Sequence, residues 1–194
     1  MTDRRTLYTG VSRAAWGYFF LYFNINLGPV SVLPTFVGFL LFLSSINLLK
    51  EERRDMALLH PLGIMLVICH FGDWVLSWFG ATLSGQFEVL DLIVNLISLY
   101  FHFQLFTDFA ALASKYQHEG DCLDRRLLRW RTLQTILLTT LTLVRYPAQW
   151  VSNWWNYVVI AMTGVALIAG ICLMVALFAL RKVFVDKEEL ADPS

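Results

Sequence analysis

The stretch NYVVIAMTGVALIAGICLMVALFAL, residues 156–180, contains no charged residue. A helix that crosses a bilayer needs about 20 consecutive, mostly apolar residues. Residues 156–180 meet that requirement with room to spare, so the fold is read outward from here. Five further stretches have the same character: residues 7–27, 32–49, 57–79, 88–113 and 127–147. The predicted fold is therefore all-α: a polytopic membrane bundle of about six transmembrane helices. Residues 1–183 form one transmembrane domain, and 184–194 form a polar tail. Composition agrees. Charged residues make up 15% of the chain, against about 25% in a typical soluble domain.

Orientation follows from the basic residues. Of the 15 Lys and Arg, all but Arg145 fall in residues 1–13, 50–55, 114–131 and 181–194. With six crossings, these four segments lie on one side. Loops rich in Lys and Arg stay in the cytoplasm, so both termini are expected there, in a multipass protein of the cell membrane. Trp74, Trp78, Trp150, Trp154 and Trp155 cluster toward the opposite ends, where indole rings favour the headgroup zone. The run Arg125-Arg126-x-x-Arg129-x-Arg131 reads mainly as part of this topology signal, and membrane lipid is an expected contact. The formal net charge of zero gives no reason to expect a nucleic acid partner.

The connection between the first two helices reads NINLGPVSVLP over residues 24–34. Two readings are open. It is an outer loop built from turn residues, or a re-entrant break that lines a wet cavity. In either case a helix restarts near Pro34, because proline is favoured at a first helical position. Asn24-x-Asn26-Leu27-Gly28, followed by Leu33-Pro34-Thr35-Phe36-Val37-Gly38, resembles a motif of uncharacterised small multipass membrane proteins of Gram-positive bacteria. The resemblance covers about 15 residues and implies a source but no activity. Many relatives of that group carry an acid where Thr35 stands here, so no role for that acid transfers.

Polar residues inside the apolar stretches supply the functional lead. Glu88, Asp91, Asn95, Ser98 and His102 recur every three or four residues and share one helix face. Such a stripe is costly against lipid, where a charge at the centre costs roughly 2.5–3.5 kcal/mol, so it should face the bundle interior. His70 and Asp73 share a face of the preceding helix. At about 1.5 Å per residue, Asp73 and Asp91 lie roughly 5–9 Å below the outer surface, and His70 and Asn95 roughly 10–14 Å. Asn24, Asn26 and Arg145 belong to the same outer half. The expectation is an outward-facing polar site between the third and fourth helices, open to a small cation or amine-bearing solute. His70 and Asp73 would bind or relay protons there, with Asp91 and Asn95 completing the site.

The structural alternative is that these groups hold helices together by hydrogen bonds. In that case the chain is a non-catalytic membrane partner or sensor acting through helix contacts. An intramembrane metal-dependent enzyme is the third reading. His102 is expected roughly 10 Å deeper than His70, and no HExxH pair occurs. Accordingly no catalytic residue, metal ligand or cofactor is assigned. Ser84 in Thr82-Leu83-Ser84-Gly85 and the pair Glu51-Glu52 match membrane-protease motifs only in fragments. Six helices make a thin wall around a pathway, so a homodimer is a further expectation.

Overall fold

The computed structural model describes residues 3–23, 26–27, 30–31, 34–81, 87–118, 120–145 and 153–185. Among them are six α-helices: α1 Arg4–Tyr22, α2 Thr35–Leu49, α3 Leu59–Trp78, α4 Glu88–Tyr116, α5 Leu123–Arg145 and α6 Asn153–Val183. A short 3-10 turn, Arg54–Leu58, leads into α3. Between α1 and α2, β1 Asn26–Leu27 pairs antiparallel with β2 Val30–Ser31. Each helix packs on its neighbours in sequence, and α6 returns to α1. The helices thus form a ring.

Among the described residues, three helical stretches are both long and apolar enough to cross a membrane: Arg54–Trp78, Val89–Tyr116 and Asn156–Val183. α2 is apolar but only 15 residues long, about 22 Å at the helical rise. α1 and α5 fall short on composition. Arg4, Arg5 and Arg13 load the first, and Arg125, Arg126, Arg129 and Arg131 load the second. α1 also stops at Tyr22 rather than Leu27, and the residues expected to extend it supply the two-residue strand β1. Helix geometry ends where an asparagine follows the aromatic run, a residue type that competes for local backbone hydrogen bonds. The backbone of Asn26 is therefore in a hairpin arm, so that part of the connection is neither helix nor helix restart. α2 begins one residue beyond Pro34.

The helices meet through small residues and aromatic rings. Leu7, Val11, Ala14, Ala15 and Tyr18 of α1 are buried, as are Phe39, Phe42, Ile46 and Leu49 of α2. These positions recur every three or four residues, which places each set on one face. At the crossing the two backbones nearly touch. A Cβ on Gly17 would lie 2.8 Å from the carbonyl oxygen of Gly38, and a Cβ on Gly38 would lie 2.7 Å from that of Gly17. Close approach through small residues is how helices pack where no water drives them together. Tyr22 uses the same device on α6: its ring occupies the space that a Cβ on Gly170 would need.

The outer surface is apolar. Ile64, Ile68, Phe71, Val75 and Trp78 are exposed along α3, and Val89, Leu90, Ile93, Leu96 and Tyr100 along α4. Tyr157, Ile160, Leu167, Ile168 and Val175 are exposed along α6. Exposed apolar faces on several helices are unfavourable in water and suit a hydrocarbon solvent.

One end of the ring collects the basic residues. Lys115 of α4 bonds to Glu52, which also accepts from the Tyr116 hydroxyl at 2.7 Å. Arg53 bridges Asp55 at 3.3 Å and Asp108 at 3.2 Å. The Asp108 side chain is wholly buried and also accepts from Gln104 at 3.4 Å. The charged run 50–55 is thus folded back onto α4. Phe184 is buried against Tyr116, their rings 5.3 Å apart, so the packed body includes a residue assigned to the polar tail.

α5 starts at Leu123, earlier than the expected 127. The Gln117 side chain explains the extra turn. Its Oε1 accepts from the backbone N–H groups of Leu123 and Asp124 at 3.0 and 3.3 Å, and its Nε2 donates to Asp124 Oδ1 at 3.0 Å. These bonds satisfy amides that a helix start leaves without partners. The Gln117 amide, with help from the backbone N–H of Arg125, holds the Asp124 carboxyl below the usual carboxylate range.

Candidate functional site

The stripe on α4 divides between two environments. Its deeper part lines a cavity of about 290 Å3 between α1, α4 and α5. From α4 come Asn95, Ser98, Leu99, His102, Phe103 and Phe106. α5 contributes Arg131, Gln134, Thr135, Leu138 and Thr142, and α1 contributes Tyr18, Leu21 and Tyr22. On both α4 and α5 the lining runs over about three helical turns, roughly 16 Å at 1.5 Å per residue. The helices are antiparallel neighbours, so Asn95 and Thr142 mark the hairpin end of the cavity, and Phe106 and Arg131 its basic end.

Gln134, only 7% exposed, is the fixed point of the wall. It accepts from the Tyr18 hydroxyl at 2.9 Å and donates to the Tyr22 hydroxyl. Tyr18 and Tyr22 are one helical turn apart with ring centroids 4.9 Å from each other. A buried amide between two phenols satisfies three polar groups at once, and removing one would leave the others unpaired at about 1–3 kcal/mol each.

His102 stands at mid-depth in an aromatic box. The rings of Phe39, Phe42 and Phe101 lie 5.7–5.8 Å from it, and Tyr18 lies at 6.2 Å. Its Nδ1 is 2.7 Å from the Ser98 carbonyl oxygen. A carbonyl only accepts, so Nδ1 carries a proton, and in the neutral ring Nε2 holds the lone pair. At the basic end, Arg131 Nη1 donates to Thr107 Oγ1 at 2.6 Å. The Arg131 guanidinium lies 4.0 Å from the Phe103 ring centre, a cation–π placement. Its Nε is buried without a hydrogen-bond partner.

Of the described residues expected at the site, His70, Asp73 and Asp91 are not among the cavity lining. His70 stacks on Phe39, centroids 5.0 Å apart and planes 10° from parallel. Phe39 thus separates the two histidines, and His70 is not among the described lining residues. Asp73 and Asp91 lie within electrostatic reach of His70 and each has an interaction of its own; neither is among the described lining residues. Asn95 donates to the Asp91 backbone carbonyl at 2.9 Å. Glu88 begins α4 and Arg145 ends α5, but their side chains, like that of Asn26, lie outside the described residues. Asn24 lies wholly outside them.

The expected partnership of α3 with α4 is therefore replaced, for the cavity, by α1 and α5. The expected acid excess changes too. Among the described residues the lining holds no carboxylate and one arginine. Tyr18, Tyr22, Arg131, Gln134, Thr135 and Thr142 were missed. Arg131, Gln134, Thr135, Leu138 and Thr142 fall on one face of α5, a stripe as regular as that on α4. In the sequence Arg131 reads as part of the topology signal, and nothing there singles out Tyr18 or Tyr22. Among the described residues no three His, Cys, Asp or Glu side chains gather as a metal site would require.

A second hollow, of about 610 Å3, lies at the basic end between α1, α4 and α6. Arg4, His118, Lys182 and Asp121 stand round apolar Ala179, Val183 and Phe184. No family model, curated protein or solved structure matches this chain.

Proposed function

We propose that the chain is a small multipass transporter or channel of the cell membrane. In this reading all six helices cross, with the basic end and both termini in the cytoplasm. The cavity between α1, α4 and α5 is the solute path. The observation that carries the reading is the pairing of two polar stripes, Asn95–Ser98–His102 and Gln134–Thr135–Thr142, along one elongated cavity. Stripes that serve only to join helices would close the space between them. Here the stripes line about 290 Å3 of space, near the lower end of the roughly 300–1,000 Å3 typical of ligand pockets.

The test is water accessibility. Cys69, Cys122 and Cys172 are free thiols and are first replaced by serine or alanine. Single cysteines then go in at Asn95, Ser98, Thr135 and Thr142, and a membrane-impermeant thiol reagent is applied from outside in intact cells. Modification at all four is expected, slower with depth. Silence at Ser98 and Thr135, in protein that reacts after unfolding, overturns the reading. It would favour the partner or sensor alternative.

A further inference from the structure

We propose that the solute taken by this cavity is a small carboxylate with an apolar body, held at the basic end by Arg131. The proposal rests on the reading of the cavity as a solute path.

Two other cations at the basic end, half-buried Arg53 and exposed Lys115, are neutralised within the chain. Arg53 has Asp108 and Asp55, and Lys115 has Glu52. Arg131 has no such partner among the described residues. It is held by a threonine hydroxyl, Thr107, by the Phe103 ring, and by Thr132 Oγ1 at 3.4 Å. Arg181 is also held by a hydroxyl and rings, those of Ser12, Tyr8 and Phe178. It lies in the last turn of α6, where the helix dipole favours a cation, and it does not line the cavity. Arg131 is two turns into α5, away from that compensation. Arg131 is half-buried with its Nε enclosed; a cation partly withdrawn from water without a counter-charge is unfavourable, and an entering anion lowers that cost.

The remaining lining points to the rest of the ligand. Most polar groups along the wall are already engaged. Gln134 is taken by the two tyrosines, His102 Nδ1 by the Ser98 carbonyl, and the Thr142 hydroxyl by the Leu138 carbonyl. What they present to a guest is mainly ring faces and the side chains of Leu21, Leu99, Phe106 and Leu138. A single guanidinium matches the charge and planar fork of a carboxylate, whereas a phosphate dianion calls for more positive charge.

The experiment uses the full chain in lipid nanodiscs, without native cysteines and with Thr135→Cys, one turn from Arg131. Butyrate and butylammonium, matched in size and opposite in charge, are compared at equal ionic strength. Butyrate is expected to slow thiol modification by about threefold at roughly twice its Kd, and butylammonium to leave the rate unchanged. Arg131→Gln should abolish the butyrate effect. Arg131→Lys should keep part of it, and a thermal melt confirms that each variant is folded. Equal protection by both ions, protection that survives Arg131→Gln in folded protein, or a reactive thiol that neither butyrate nor oleate protects each overturn the carboxylate assignment while leaving the open cavity intact. A thiol that never reacts overturns the cavity reading as well. Oleate supplied in the bilayer forms the second arm. Protection by oleate alone would keep the carboxylate and move its source to the lipid.

Discussion

α1 makes two contacts of opposite kind. Toward α2 it presents Gly10 and Gly17, and the two backbones close until nothing larger than hydrogen fits at Gly17 and Gly38. Toward α4 and α5 it presents Tyr18 and Tyr22, whose rings and hydroxyls hold the helices apart around a cavity. The glycine seam removes space and has one solution. The tyrosine wall keeps space and stabilises it with hydrogen bonds. Side-chain size along a single helix thus decides which neighbour is packed dry and which is left open.

The sharpest way to break the contrast is at the seam. Gly38→Leu places side-chain atoms where the Gly17 carbonyl stands, and backbone cannot rotate away as a side chain can. The cost should exceed the about 1–3 kcal/mol of ordinary overpacking, so folded protein should not be recovered after detergent extraction. Gly164→Ala is the control. Nothing lies within 4 Å of its added Cβ, and a thermal melt should rise slightly, since alanine outranks glycine by about 1 kcal/mol in a helix.

Arg53→Ala comes next. It strands the buried Asp108 carboxylate, which retains Gln104. Removing one partner of a buried pair costs about 3–5 kcal/mol. Arg53 is itself a third exposed, so the loss should fall near the lower bound, with Asp108→Asn in the same background restoring part of it. The tyrosine wall should be more forgiving. Gln134→Leu leaves the Tyr18 hydroxyl buried without its acceptor, at about 1–3 kcal/mol. Adding Tyr18→Phe should recover most of that in a double-mutant cycle. A cycle with no coupling would show that the wall is not held by this bond.

The smallest effect lies at the start of α5. The Asp124 carboxyl is held below its usual range in the folded chain, so the unfolded chain binds its proton more readily. Its contribution is complete above the unfolded value, about 3.9, and is lost as pH falls through the folded one. Asp124→Asn should flatten the acid limb of the pH–stability curve slightly and leave neutral pH nearly unchanged.

Periodicity and apolar length marked every helix, because both are properties of consecutive residues. The polar face of α4 was legible for the same reason, and three of its members, Asn95, Ser98 and His102, line the cavity. The facing helix was not legible. A period says which residues share a side but not which neighbour occupies it, and the short outer connection made α3 the natural choice. The missed wall on α5 failed differently. Its stripe includes an arginine close to a basic loop, and charge counting and site finding read that residue in opposite ways. Boundaries failed where side chains act at a distance, as Gln117 does for α5.

The packing of Tyr22 into the hollow over Gly170 has a consequence for assembly. α1 and α6 are the first and sixth helices in order of synthesis, yet they are neighbours in the ring. Until α6 is made, the Tyr22 ring lacks its packing over Gly170 and keeps its contacts with Tyr18 and Gln134. Among the described residues the cavity lining draws on α1, α4 and α5 alone, but its α1 wall is braced only once the Tyr22 ring is seated over Gly170.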